Sequence, residues 1–132
     1  MFKLRWVLAI IAAIAMLSGC STKTPITPMA LLYDNSDAGA TDGHYVSTEF
    51  ATPSSNSNNI NVWFDNKGAS SVTVTFQKKG FFGTWSNVGS FAVNAGKADF
   101  RQMAGASGTT YRIKVDSSIG SPIKGHLKAN QL

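Results

Sequence analysis

Cysteine is nearly missing from this 132-residue chain. Cys20 stands alone, so no disulfide can close within the chain and no thiolate zinc site can be assembled. Charge is thin as well. Asp, Glu, Lys and Arg make up 14% of residues, against roughly 25% in an average soluble domain, so Ser, Thr, Asn and Gly must supply the polar surface. Two histidines, His44 and His126, leave little for a metal or acid–base centre. Beyond the first twenty residues no stretch repeats its apolar positions at helical spacing, which excludes a helical bundle. The net charge of +5 includes Lys3 and Arg5 at the N-terminus; the remainder holds ten basic and seven acidic side chains, too mild a bias to imply a nucleic-acid partner.

What is present begins with a short basic start, residues 1–5, and an unbroken apolar run over residues 6–17. A bilayer-spanning helix needs about twenty such residues, so the run reads as the core of a signal peptide. It ends in Leu17-Ser18-Gly19-Cys20, which resembles the lipobox of bacterial lipoproteins. That resemblance implies cleavage between Gly19 and Cys20 and a diacylglycerol on the Cys20 thiol, with several acyl chains holding the protein on the extracytoplasmic side of a membrane of the cell envelope. Ser21 is not the aspartate that the family associates with inner-membrane retention. The other readings of the same residues are a plain secretory signal cut elsewhere and an uncleaved N-terminal anchor.

Residues 20–41 are rich in Ser, Thr, Pro, Ala and Asp, with Pro25 and Pro28 opposing regular structure, and read as a lipidated tether. Inside it Met29-Ala30-Leu31-Leu32-Tyr33 is an apolar patch expected to dock on the domain or rest at the interface. Residues 42–132 then switch to a period of two. Ile60, Val62 and Phe64 alternate with Asn61, Trp63 and Asp65; Val72, Val74 and Phe76 with Thr73, Thr75 and Gln77. Tyr111, Ile113 and Val115 alternate with Arg112, Lys114 and Asp116; Ile123, Gly125 and Leu127 with Lys124, His126 and Lys128. Weaker strands are expected over residues 43–50, 84–93 and 97–103. In the second of these Trp85, Phe91 and Val93 share a face by parity while Val88 does not, so Gly89 is expected to mark a bulge. About seven short antiparallel strands separated by turn formers predict an all-β sandwich. The run from Asn61 to Gly68 followed by Ser71 to Phe76 is similar to the B and C strands of immunoglobulin-like bacterial surface modules, which implies that topology.

Three clusters carry candidate chemistry. His44 beside Asp34, Asp37 and Asp42 fits neither an EF-hand nor a zinc-helix spacing and reads as loop solvation, so no metal, cofactor or catalytic residue is expected. No G-x-S-x-G elbow surrounds any serine. Lys78-Lys79-Gly80-Phe81-Phe82-Gly83-Thr84-Trp85 sets two adjacent phenylalanines in a hairpin turn. Neighbouring strand residues face opposite ways, so Phe81 and Phe82 either fold over the end of the sandwich or form an exposed contact with a membrane, a glycan or a protein, with Trp85 nearby. Arg112, Lys114, Lys124, His126 and Lys128 would share one basic sheet face if the last two strands form a hairpin, and such a face would suit an anionic envelope polymer or lipid headgroups. Lysines on an edge strand that discourage pairing are the plainer account. The sequence thus predicts a non-enzymatic, membrane-anchored lipoprotein that binds at the envelope. A structural envelope or matrix component, a phage- or plasmid-encoded exclusion or immunity lipoprotein and a small hydrolase stay open.

Overall fold

Alternation of apolar and polar residues becomes strand throughout the domain. The structure, a computed structural model, describes residues 30–52, 59–104 and 108–131; the signal segment, Gly19, Cys20 and residues 21–29 lie outside the described residues. Nine strands follow in order: β1 (Ala30–Ala40), β2 (His44–Val46), β3 (Phe50–Ala51), β4 (Asn59–Asn66), β5 (Val72–Lys79), β6 (Trp85–Val93), β7 (Ala98–Ala104), β8 (Thr110–Ser117) and β9 (Ile123–Gln131). All pair antiparallel, in one sheet ordered β1-β9-β4-β7 and a second ordered β2-β8-β5-β6, with β3 also on β8.

The expected all-β antiparallel sandwich is present, but its topology is not immunoglobulin-like. In that fold three consecutive pairs, A with B, D with E and F with G, lie side by side within the sheets. Here β5 and β6 are the only consecutive strands paired within a sheet among the described residues, and the first strand lies against the last. Apart from β2 and β3, which both lie on β8, the other chain neighbours cross from one sheet to the other, which is the jelly-roll arrangement.

Three expectations about segments are corrected. The second half of the expected tether is strand β1, whose backbone pairs with β9 from Ala30↔Gln131 to Ala40↔Ile123. Register shifts between Leu31 and Tyr33 and between Asn35 and Ala38 scramble its alternation. The first shift lets the adjacent Leu32 and Tyr33 both pack against the core, so this part of the apolar patch docks on the domain while Leu31 stays exposed. Residues 43–50 form two strand pieces because Ser47 interrupts the ladder: its hydroxyl accepts the Ile113 N–H at 2.8 Å and donates to the Thr48 carbonyl at 2.9 Å. The bulge near Gly89 is present, with Phe76 opposite Gly89 and Gln77 opposite Asn87, leaving Val88 as the extra residue. That bulge reverses parity, so Trp85 faces outward beside Lys79 while Val93 is buried and Phe91 packs on the core.

The core joins Ile60, Val62, Phe64, Leu127 and Ala129 of one sheet to Val72, Val74, Phe76, Tyr111, Ile113 and Val115 of the other. Phe76 and Tyr111 stack at 4.6 Å, and Phe50 and Tyr33 extend that aromatic cluster. Gly125 in β9 is required by this packing. A Cβ there would stand 2.1 Å from the Asp65 carbonyl and 2.6 Å from the Phe64 ring. Across the sheets, Tyr33 OH and Tyr45 OH hydrogen-bond at 2.5 Å, with the Asn35 side-chain amide donating to Tyr45 OH at 3.0 Å. Burial first, then the bond to Tyr45, pushes the Tyr33 hydroxyl from 10.0 up to about 12.

Two outcomes follow from this packing. Gly125→Ala should destabilise the domain by about 3 kcal/mol, the upper end of the usual overpacking cost, because neither the carbonyl nor the packed ring can move aside cheaply; a denaturation midpoint equal to that of the parent would contradict the contact. A phenol whose folded pKa is raised contributes stability that is whole below its unfolded pKa of 10.0 and is lost as pH rises through about 12. Unfolding curves collected across that window should fall less steeply with pH in Tyr33→Phe than in the parent, whereas superimposable profiles would count against the raised hydroxyl.

Candidate functional site

Strand β4 supplies the centre of the site because its outward residues are Asn61, Trp63 and Asp65, while Ile60, Val62 and Phe64 are buried. Its neighbours β7 and β9 extend each outward residue into a row. Trp63 is paired with Phe100 on one side and Lys128 on the other; Asn61 stands between Gln102 and Asn130; Asp65 stands between Ala98 and His126. The result is a shallow depression of about 400 Å³ lined by Asn61, Trp63, Phe100, His126, Lys128 and Asn130. Phe100 is 61% exposed, unusual for an aromatic ring with no partner to cover it. The His126 ring meets the Trp63 indole edge to face at 5.1 Å, and its Nε2 lies 2.5 Å from Asp34 Oδ1 on β1. The carboxylate and the indole between them fix the imidazole's orientation.

The expected basic face does not form. β8 belongs to the five-stranded sheet and β9 to the four-stranded one, so Arg112 and Lys114 stand on one outer surface and Lys124, His126 and Lys128 on the opposite one. The reason is local. β8 stops at Ser117, whose hydroxyl accepts the Ser121 N–H at 3.1 Å, Gly120 adopts φ 70°, and the chain through Pro122 crosses between sheets instead of closing a hairpin.

Arg112 and Trp85 are spent on each other. The guanidinium carbon lies 4.3 Å from the Trp85 ring centroid, Arg112 Nε–H donates to Gln77 Oε1 at 2.8 Å, and Gln77 Nε2 donates to Asn87 Oδ1 at 2.8 Å. Lys79 lies 5.8 Å from the same ring and pairs with Glu49 at 3.2 Å. This is an internally satisfied surface network. Lys114 lies in the next row, beside Thr75 and Val46.

Phe81 and Phe82 are 98% and 90% exposed and meet edge to face at 5.3 Å. They do not plug the sandwich because Tyr33, Phe50, Phe76 and Tyr111 already fill that end. The turn is closed by Gly80 N–H to Thr84 O at 2.7 Å and Gly83 N–H to Gly80 O at 3.0 Å, with Gly83 at φ 78°.

His44 Nδ1 lies 2.8 Å from Asp116 Oδ1, and the His44 backbone N–H donates to Asp42 Oδ1 at 3.1 Å. Among the described residues no group of three or more His, Cys, Asp or Glu side chains converges as a metal site would require.

Sequence reasoning found His126 and Lys128 and missed Asn61, Trp63, Phe100 and Asn130. Trp63 carried a legible signal, a large aromatic on the polar side of an alternating strand. Phe100 carried none until β7 was paired with β4.

Comparison of the chain with protein-family models and with curated proteins yields no match. Among solved structures it is similar to PirA, at 18% identity over 83% of this chain and 100% of that one, with a TM-score of 0.53. It is also similar to the Yersinia pseudotuberculosis-derived mitogen, at 12% identity over 79% and 86% of the two chains with a TM-score of 0.43. A third is carbohydrate-binding module CBM36, in complex with calcium and xylotriose, at 15% identity over 79% and 93% with a TM-score of 0.41. The likeness to PirA shows the sandwich fold alone, and the two lower scores decide nothing further.

Proposed function

We propose that the chain is a lipid-anchored, non-enzymatic protein of the bacterial envelope whose sandwich binds a polysaccharide across Trp63 and Phe100. The observation that carries the reading is the row Phe100–Trp63–Lys128, flanked by the amides of Asn61 and Asn130 along one open depression. A pyranose ring has an apolar C–H face and a rim of hydroxyls. An aromatic side chain offers the first a flat surface, and planar amides offer the second paired donors and acceptors. Lys128 adds a cation for a carboxylate or phosphate substituent, which keeps an anionic envelope polymer within the ligand class.

Binding fits better than turnover. His126 is oriented by Asp34 as a general base would be, yet the lining of the depression has no serine, threonine or cysteine for it to activate. All the lining side chains stand on paired strands, so little ordering has to accompany binding.

Anchoring rests on the lipobox resemblance of Leu17-Ser18-Gly19-Cys20. Cys20→Ala should abolish incorporation of a clickable fatty acid in a bacterial host, and label retained by that variant would refute the anchor. For the domain, Trp63→Ala should weaken binding to envelope polysaccharide at least about tenfold, a loss of about 1.4 kcal/mol, while Trp85→Ala, on the opposite surface, should leave affinity unchanged. Calorimetric titration of both variants reads this, and equal affinities for Trp63→Ala and parent would remove the depression as the binding site.

A further inference from the structure

The chain enters the domain at the end of the sandwich that carries the exposed phenylalanines. Ala30, at the start of β1, pairs with Gln131, and Gln131 pairs with Ile60 at the start of β4. In the other sheet the same end holds Ala51 opposite Thr110 and Lys79 opposite Trp85, the last pair before the Phe81–Phe82 turn. The chain passes between the sheets there, from β3 to β4 and from β7 to β8, and the Thr52 N–H donates to the Thr109 carbonyl at 2.9 Å, continuing the β3–β8 pairing at this end. Gly108, Thr109 and Thr110 line one depression with Lys78, Gly80 and Phe81. The turns after β1, β4, β6 and β8 occupy the opposite end, about 26 Å away along an eight-residue strand such as β5.

We propose that the Phe81–Phe82 turn is a bilayer-docking element that stands the sandwich upright on the membrane to which the chain is tied. The proposal rests on the lipid-anchor reading for its membrane and on the structure for its geometry. Nine residues lie between Cys20 and Ala30, and the ten steps from one to the other reach at most about 35 Å, so the entry end is held within a short distance of the headgroups. Two rings at 98% and 90% exposure on that end present apolar surface that the protein itself leaves in water. Lys78 is exposed beside them and suits anionic headgroups, while Lys79 is shared with Glu49. Acyl chains on Cys20 would fix position but not orientation. A second, apolar contact displaced from the leash fixes orientation, with the strands directed along the membrane normal and the Trp63–Phe100 depression turned sideways, open to a polymer lying parallel to the membrane.

The test uses the full chain purified with its membrane anchor and reconstituted in vesicles of phosphatidylcholine and phosphatidylglycerol. An environment-sensitive dye is placed in Phe82→Cys or, at the opposite end, in Ile119→Cys, and lipid-borne spin labels act as quenchers. The expected result is a blue-shifted dye at position 82, quenched severalfold more than at position 119, with the shift lost when Phe81→Ser is added. Equal quenching at both positions, or a dye at 82 that stays in water, overturns the proposal; the second result is also what a glycan or protein partner for this turn would give. Lipid on Cys20 is read independently from the mass of the N-terminal peptide. Chains without lipid that still bind vesicles are scored by the same two dyes, so a failed anchor and a failed docking turn give different records.

Discussion

The insertion of β9 between β1 and β4 is the constraint on which the rest of the molecule depends. The last strand becomes an interior strand of the four-stranded sheet, paired on both sides along nearly its whole length. An interior strand must bury one face completely, and β9 does so with Ile123, Gly125, Leu127 and Ala129. Gly125 is the point of closest approach, because the Phe64 ring crosses the strand where a side chain would otherwise stand. The same placement orders the outer face: His126, Lys128 and Asn130 reach the surface only in the register that sets them beside Trp63 and Asn61.

Two further features follow from that strand. With β9 against β1, the start of β1 and the end of β9 lie at one end of the sandwich, the end that bears the Phe81–Phe82 turn. That end is closed from within by Tyr33, Phe50, Phe76 and Tyr111, so the turn has no packing role and its two rings remain outside. On the open side between β6 and β7, Arg101 Nη1 donates to the Ser90 carbonyl, and Asp99 and Arg101 place charge on an edge strand that would otherwise invite pairing. The exposed aromatic rings stand at two places, Phe100 on the depression and Phe81 with Phe82 on the tip, while single aliphatic side chains such as Leu31 and Ile119 are exposed elsewhere.

Local alternation was enough to read β4, β5, β8 and β9 and to name their buried faces, because period two is a property of each strand alone. It was not enough to pair them. The positive side chains of β8 and β9 look like one face in sequence and become two because Ser117 and Gly120 send the chain across the sandwich. β1 was hidden for a different reason: two register shifts break its alternation, and a Ser-, Asp- and Ala-containing strand has the composition of a linker. Trp85 was assigned to the wrong side of β6 because the bulge that was expected at Gly89 also inverts every outward position beyond it. The depression itself depends on three strands from distant parts of the chain, and only pairing brings Phe100 to Trp63.

The most direct test of the account is where a ligand perturbs the domain. Amide and indole resonances of the isotopically labelled protein, followed as soluble envelope polysaccharide is added, should shift at Asn61, the Trp63 indole N–H, Phe100, Lys128 and Asn130, with Trp85, Arg112 and Gln77 unmoved. Shifts confined to the Trp85–Arg112 surface, or no shift at saturating polymer, would contradict it.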